Sequence, residues 1–205
     1  AGIENGMFQF GKLAIQSSVS TLATYAITAQ AMTNVFENLN GIAAIGVGIG
    51  LMTVVGQAIG AGRKEEARYY IVKLTWYGEL VLILTCLLVF ILCRPIMRIA
   101  GMEQDSADLC YEMMIAITIV KPIVWSLSFI PAYGLRAAGD VRFSMLTATC
   151  TMWFCRVALA IYLIRCCSFG TMGVWIGMFA DWTIRGIIFT KRFLGKNWER
   201  KKVLS

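Results

Sequence analysis

The 205-residue sequence contains no histidine. That removes the commonest metal ligand and the usual general base, so an ordinary zinc site and any Ser–His or Cys–His catalytic arrangement are not expected. The seven cysteines are odd in number, contain no C-x-x-C, and mostly lie inside apolar runs. A disulfide framework is therefore not expected, and only the adjacent Cys166-Cys167, at a predicted outer loop, invites a redox test. Charged residues make up 15% of the chain, against roughly 25% in a soluble domain. There are three prolines and no linker or low-complexity tract, so a single domain is expected. No basic n-region with a cleavage site precedes the first apolar run, so no signal peptide is expected. The first residues, from Ala1, look like the inside of a membrane segment, and the expectation is a fragment of a longer gene product.

What the chain has in abundance is apolar surface: 58% of residues are hydrophobic and the mean hydropathy is +0.68. A bilayer is the solvent that tolerates this composition. A spanning helix needs about 20 mostly apolar residues, and six stretches qualify: Ile3–Leu22, Tyr25–Ile59, Tyr69–Cys93, Leu109–Leu135, Ser144–Ile164 and Thr171–Phe193. Tyr25–Ile59 is too long for one straight crossing, and its clean part is Gly41–Ile59. The segments are longer than barrel strands and do not alternate, so helices are expected. The predicted fold is an all-α integral membrane bundle of six transmembrane helices over 1–193, with a basic tail over 194–205. The predicted connections are Gly60–Arg68, Arg94–Asp108, Arg136–Phe143 and Arg165–Gly170.

The net charge of +7 is a matter of placement. Eleven lysines and arginines fall in alternate connections and the C-terminal tail: Arg63, Lys64 and Arg68, then Arg136 and Arg142, then six from Lys191 to Lys202. The other side has three, Arg94, Arg98 and Arg165. Positive residues stay inside, which predicts a multi-pass plasma-membrane protein with both termini cytoplasmic. The partner of the basic residues is then anionic lipid and not nucleic acid.

A charge at the centre of a span costs roughly 2.5–3.5 kcal/mol on insertion scales, so each such residue is a functional candidate. Glu4 is the sharpest. It borders a stripe of Asn5, Gln9, Lys12 and Gln16 at helical spacing, which faces a cavity or a partner helix, with a Glu4–Lys12 neighbourhood possible. The alternative is an interfacial carboxylate at a helix end. Gln30, Asn34, Glu37 and Asn38 share a second face, lining either a cavity for organic cations or the wetted end of a broken helix. Lys121-Pro122 and Pro131 suggest a hinge or an ion-coordinating carbonyl. Asp181 and Arg185 form a favourable i, i+4 pair, whereas Arg156 has no evident partner. Lys73 and Glu79 are expected to be interfacial or pairing residues. The glycines of the second segment, Gly41 to Gly62, suggest close helix packing.

Two stretches carry more than composition. Val55-Gly56-Gln57-Ala58-Ile59-Gly60-Ala61-Gly62-Arg63 resembles the VGQ-x-x-GAG-R signature of the MATE (multidrug and toxic compound extrusion) transporters. Pro131 with Gly134-Leu135-Arg136-Ala137-Ala138-Gly139-Asp140 resembles that family's P…G-L-R-A-x-G-D motif, and Met172-Gly173-Val174-Trp175 its GVW pattern. The spacing is similar to that of helices seven to twelve, so the resemblance covers the C-terminal lobe of a twelve-helix protein.

The resemblance implies secondary active efflux of cationic or amphipathic drugs in exchange for H⁺ or Na⁺, with no catalytic or metal site and no cofactor. The N-terminal six-helix lobe would be the missing partner. It implies ion coupling at Glu4, a substrate cavity drawing on Phe8, Gln9, Gln30, Asn34, Trp125 and Tyr133, and gating roles for the motif residues. Those are Gly56, Gln57, Gly60, Gly62 and Arg63 in the first motif, and Pro131, Arg136, Gly139 and Asp140 in the second. Where sodium-coupled members carry an acid in the tenth helix, this chain has Trp125. Asp140 is expected either to cap the following helix or to form a gating salt bridge with Arg136. Alternatives are a lipid-linked precursor flippase of the same superfamily, which a wide basic cavity would favour, and a non-transporting membrane interaction subunit.

Overall fold

In a computed structural model that describes residues 2–20, 22–195 and 198, the chain forms six rods. They are α1 (Gly2–Val19), α2 (Thr24–Gly60), α3 (Lys64–Ile99), α4 (Gln104–Ala137), α5 (Val141–Arg165) and α6 (Thr171–Leu194). No strand occurs among the described residues. The last five are long and apolar enough to cross a membrane. The first is shorter and more polar, carrying Glu4, Gln9, Lys12 and Gln16.

Α3 and α4 overrun the expected spans, α2 matches its span to within one residue at each end, and α1 stops short of Leu22, at Val19. Α2 is one unbroken helix of 37 residues, about 55 Å at 1.5 Å per residue, so the broken helix considered for this segment is not formed. The turn expected at Arg94–Asp108 shrinks to 100–103, because α3 continues through Pro95 in its penultimate turn. Α4 likewise runs through Pro122 and Pro131 without interruption.

Three turns share one construction. After α2 the N–H of Gly62 reaches the carbonyl of Ile59, and that of Arg63 reaches Ala58. After α3, Gly101 and Met102 bond Arg98 and Met97; after α4, Gly139 and Asp140 bond Arg136 and Leu135. Each is a Schellman closure whose pivot glycine has positive φ, +76° at Gly62, +70° at Gly101 and +90° at Gly139. The Ala-Gly of both sequence motifs is thus a helix stop. It places the next residue, Arg63 or Asp140, at the N-cap of the following rod.

Α5 contains a feature the sequence did not announce. Met152–Ala158 is a seven-residue π-helical segment between α-helical halves, and Arg156 lies in it. Gly177 of α6 packs on it so closely that a Cβ there would stand 3.0 Å from the Arg156 carbonyl oxygen.

Two hydrophobic clusters hold the bundle. The larger joins α2, α3, α4 and α6 around Phe36, Leu51, Leu82, Met113, Ile130 and Trp175. The smaller is built from Ile15, Val19, Met152, Val157, Ile164 and Val174, so it ties α1 and α5 to the start of α6. Polar residues of α1 fall on the seam between them. Trp198 of the tail is buried and stacks on Phe193 at 5.7 Å. The basic tail residues Lys196, Arg200, Lys201 and Lys202 lie outside the described residues.

Close packing is confined to a few of the glycines expected to provide it. Gly41 and Gly48 of α2 touch α4, whereas Gly46, Gly50, Gly56 and Gly60 have open space beside them. A Cβ at Gly48 would meet two ring carbons of Tyr133 at 2.5 and 2.6 Å. Gly48→Leu should therefore cost about 1–3 kcal/mol through overpacking and lower the thermal midpoint in detergent. Gly46→Leu should leave it unchanged.

Candidate functional site: two polar cavities in the seam

The first cavity, about 160 Å³, lies near the end of the bundle where α1 starts and α4 stops. Glu4 of α1 is buried there, and its carboxylate accepts a hydrogen bond and ion pair from the Arg136 guanidinium of α4. The Nε of Arg136 is buried with no hydrogen-bond partner. Phe8, Phe129, Tyr133 and Phe189 supply the apolar wall. Behind them sits Arg185, fully engaged. It donates to both Asp181 oxygens at 2.9 and 3.0 Å, to Thr151 Oγ1 at 3.2 Å and to the Ala148 carbonyl at 3.3 Å. The rings of Phe8 and Phe129 flank its guanidinium at 5.5 and 5.1 Å. The i, i+4 pair expected from sequence is thus present and buried.

Glu4 does not neighbour Lys12, because eight residues of helix separate them by about 12 Å. Nor does Arg136 pair with Asp140. The Gly139 turn directs Arg136 toward α1 and Asp140 toward α6, where the buried carboxylate accepts from Arg192 Nε at 2.8 Å. Asp140 holds the N-cap position, but its side chain makes no capping bond.

The second cavity, about 240 Å³, lies farther along the same seam. Four amides, Gln16, Gln30, Asn34 and Asn38, face it together with Lys12, Glu37 and Arg156. The shared face expected of Gln30, Asn34, Glu37 and Asn38 is therefore a cavity wall. Gln30 is held by Trp175, whose indole N–H donates to its Oε1 at 3.0 Å.

Between the cavities and the core stands an ion pair that joins α2 to α4. Lys121 Nζ donates to Glu37 Oε1 at 2.7 Å and to the Glu37 carbonyl at 2.9 Å, and it also bonds Asn40 Oδ1. Gly41 makes room for it, since a Cβ there would stand 3.0 Å from the ammonium. Thr85 of α3 donates to the Asn40 carbonyl at 2.8 Å, which extends the network to a third helix. Trp125, expected in the substrate cavity, is buried beside this lysine and stacks on Phe129 at 4.8 Å. It lines neither polar cavity. Gln9 is exposed and also lines neither. Pro131 lies on the far side of α4, in an apolar groove with Ile71, Trp76, Glu79 and Pro122. Gln57, Gly60, Gly62 and Arg63 are exposed at the end of α2, and Gly56 is half-buried one turn earlier.

The Lys121–Glu37 pair escaped sequence reading because 84 residues separate its members. The available signal was depth: both charges fall a similar number of turns into parallel rods. Removing one partner of such a pair costs on the order of 3–5 kcal/mol, because the other charge stays buried and uncompensated. Lys121→Met should destabilise the protein on that scale. Lys121→Met combined with Glu37→Gln should recover much of the loss, as read by unfolding of the detergent-solubilised protein.

Comparison with known proteins places these features in a family. The MatE family model matches residues 1–162. "Probable multidrug resistance protein NorM" of Thermotoga maritima is 24% identical over 204 residues, covering 99% of this chain and 44% of that protein. "Uncharacterized transporter YisQ" of Bacillus subtilis is 24% identical, covering 95% of this chain and 42% of its own length. A protein named "FAD transporter" from Shewanella oneidensis is 27% identical over 60% of this chain and 27% of its own length. No solved structure matches significantly. The chain spans less than half the length of these relatives. The five long apolar rods, the two glycine-closed motif turns and the match over most of the chain agree: it belongs to the MatE family of multi-pass membrane transporters.

Proposed function

We propose that the chain is one lobe of a secondary exporter that exchanges amphipathic small molecules, organic cations foremost, for H⁺ or Na⁺. The observation that carries this reading is the pairing of buried Glu4 with half-buried Arg136 at a polar cavity of the bundle. A carboxylate so placed has two states, separated by one proton or one competing cation. With the pair closed, α1 is tied to α4. Neutralising Glu4 leaves Arg136 without its counter-charge, so the tie opens.

An organic cation entering this cavity competes for the same carboxylate, while Phe8, Phe129, Tyr133 and Phe189 offer flat faces for cation–π and dispersion contact. Because one carboxylate cannot hold both ligands, uptake of the coupling ion favours release of cargo, and exchange follows. The cavity is smaller than the roughly 300 Å³ of an ordinary ligand site. That suits a half-site completed by a second six-helix lobe, with transport by rocking of the lobes. One relative is named a FAD transporter, so cargo is defined here by amphipathicity first and by positive charge second. The end carrying Arg63, Arg136, Arg142 and Lys191 is taken as cytoplasmic. Gly62 and Gly139 then act as rigid stops at that face.

In the complete transporter, Glu4→Gln should abolish ion-driven accumulation of a cationic dye in everted vesicles, the form that export takes there, while leaving expression and helicity intact. Efflux that keeps its dependence on the ion gradient would remove Glu4 from the coupling mechanism.

A further inference from the structure

We propose that the second cavity is an anion site, binding a carboxylate or phosphate on an amphipathic small molecule, with Arg156 as the main contact and Lys12 at the mouth. It goes beyond the export reading and does not rest on Glu4.

The argument is one of charge. Three charged side chains face this cavity: Lys12, Glu37 and Arg156. Glu37, the only acid among them, is already committed to Lys121 at 2.7 Å. Two acids act on Arg156 electrostatically, Asp181 and Glu37. Asp181 is held by Arg185 through both of its oxygens, so neither acid is free. Arg156 makes no hydrogen bond or ion pair among the described residues, and its Nε is buried without a partner. Lys12 is exposed at the rim. Two positive charges are therefore left over, in a membrane interior where a charge without a counter-charge is costly.

The remaining wall suits an anion as well. Gln16, Asn34 and Asn38 face the cavity, and each side-chain amide carries two donors. Gln30 accepts from Trp175 through its Oε1, which leaves its NH₂ group to donate. The planar guanidinium of Arg156 matches the two oxygens of a carboxylate or phosphate. Ile15, Val174 and Met178 complete the wall with apolar surface, so the fitting ligand has a charged end and a greasy body. Arg156 lies in the π-helical segment, and Gly177 of α6 packs against its backbone. An organic cation would find no available carboxylate here.

Two dyes sharing one xanthene ring system test the sign of the site: fluorescein, an anion, and rhodamine 123, a cation. The full protein in phosphatidylcholine nanodiscs is titrated with each and read by fluorescence anisotropy. Saturable fluorescein binding is expected, weakening about tenfold in Arg156→Gln and retained in Arg156→Lys. Lys12→Gln should weaken it less, and Glu4→Gln should leave it unchanged. Rhodamine 123 should not weaken in Arg156→Gln. If nanodiscs containing phosphatidylglycerol block fluorescein in an Arg156-dependent way, the same anion site takes a lipid headgroup. Fluorescein binding that is absent in both lipids, or indifferent to Arg156→Gln with helicity intact, would overturn the proposal. So would an equal loss of both dyes. Fluorescein binding that strengthens in Glu4→Gln and is indifferent to Arg156→Gln would instead place the anion in the first cavity, on the Arg136 that Glu4 releases.

Discussion

Hydrocarbon offers no hydrogen bonds, so a polar group in this bundle is costly unless it finds a partner within the protein or faces a cavity. That constraint sorts the side chains. The large cluster of α2, α3, α4 and α6 is almost wholly apolar. The charge network that joins α2 to α4, Lys121 with Glu37 and Asn40, is closed by three acceptor oxygens on α2. The polar residues of α1 have no place in that core. They fall on the seam beside the smaller cluster, and both polar cavities lie there.

The division has mechanical meaning. Α2 and α4 are joined by an ion pair, by the Gly48–Tyr133 contact and by continuous apolar packing. Α1 and α5 are held by fewer apolar side chains and by polar contacts across cavities. A packed core has discrete arrangements and transmits strain. Movement within the lobe is therefore easiest where α1 and α5 meet the rest, along the surface that carries Glu4, Lys12 and Arg156. The prolines of α4, which looked like hinges in sequence, lie inside the stiffer unit, in a helix that stays continuous.

Much of this was legible in the residues. Long apolar runs gave the six rods and their order, lysine and arginine placement marked one end, and i, i+4 spacing gave Asp181–Arg185. The motif glycines marked the turns, although only the backbone shows that Gly62 and Gly139 act through left-handed helix closure. What sequence could not show was pairing across the fold. Glu4 meets Arg136 over a separation of 132 residues, and helical periodicity carries no information at that range. Lengths were underestimated for a related reason. Hydropathy measures the part of a helix that lies in lipid, whereas α3 and α4 continue as helices past the apolar stretch. The π-helical segment left no trace at all, since Met152–Ala158 contains neither proline nor glycine.

That segment also bears on how such proteins diverge. A π-helical stretch closes its backbone bonds over one more residue than an α-helix does. Loss of a single residue within it would let the rod relax to ordinary winding with its two halves kept in phase, while the side chains of the segment itself change direction. Arg156 would then leave its cavity without being substituted. The character of this cavity therefore depends on the winding of the fifth rod as much as on the identity of any residue lining it.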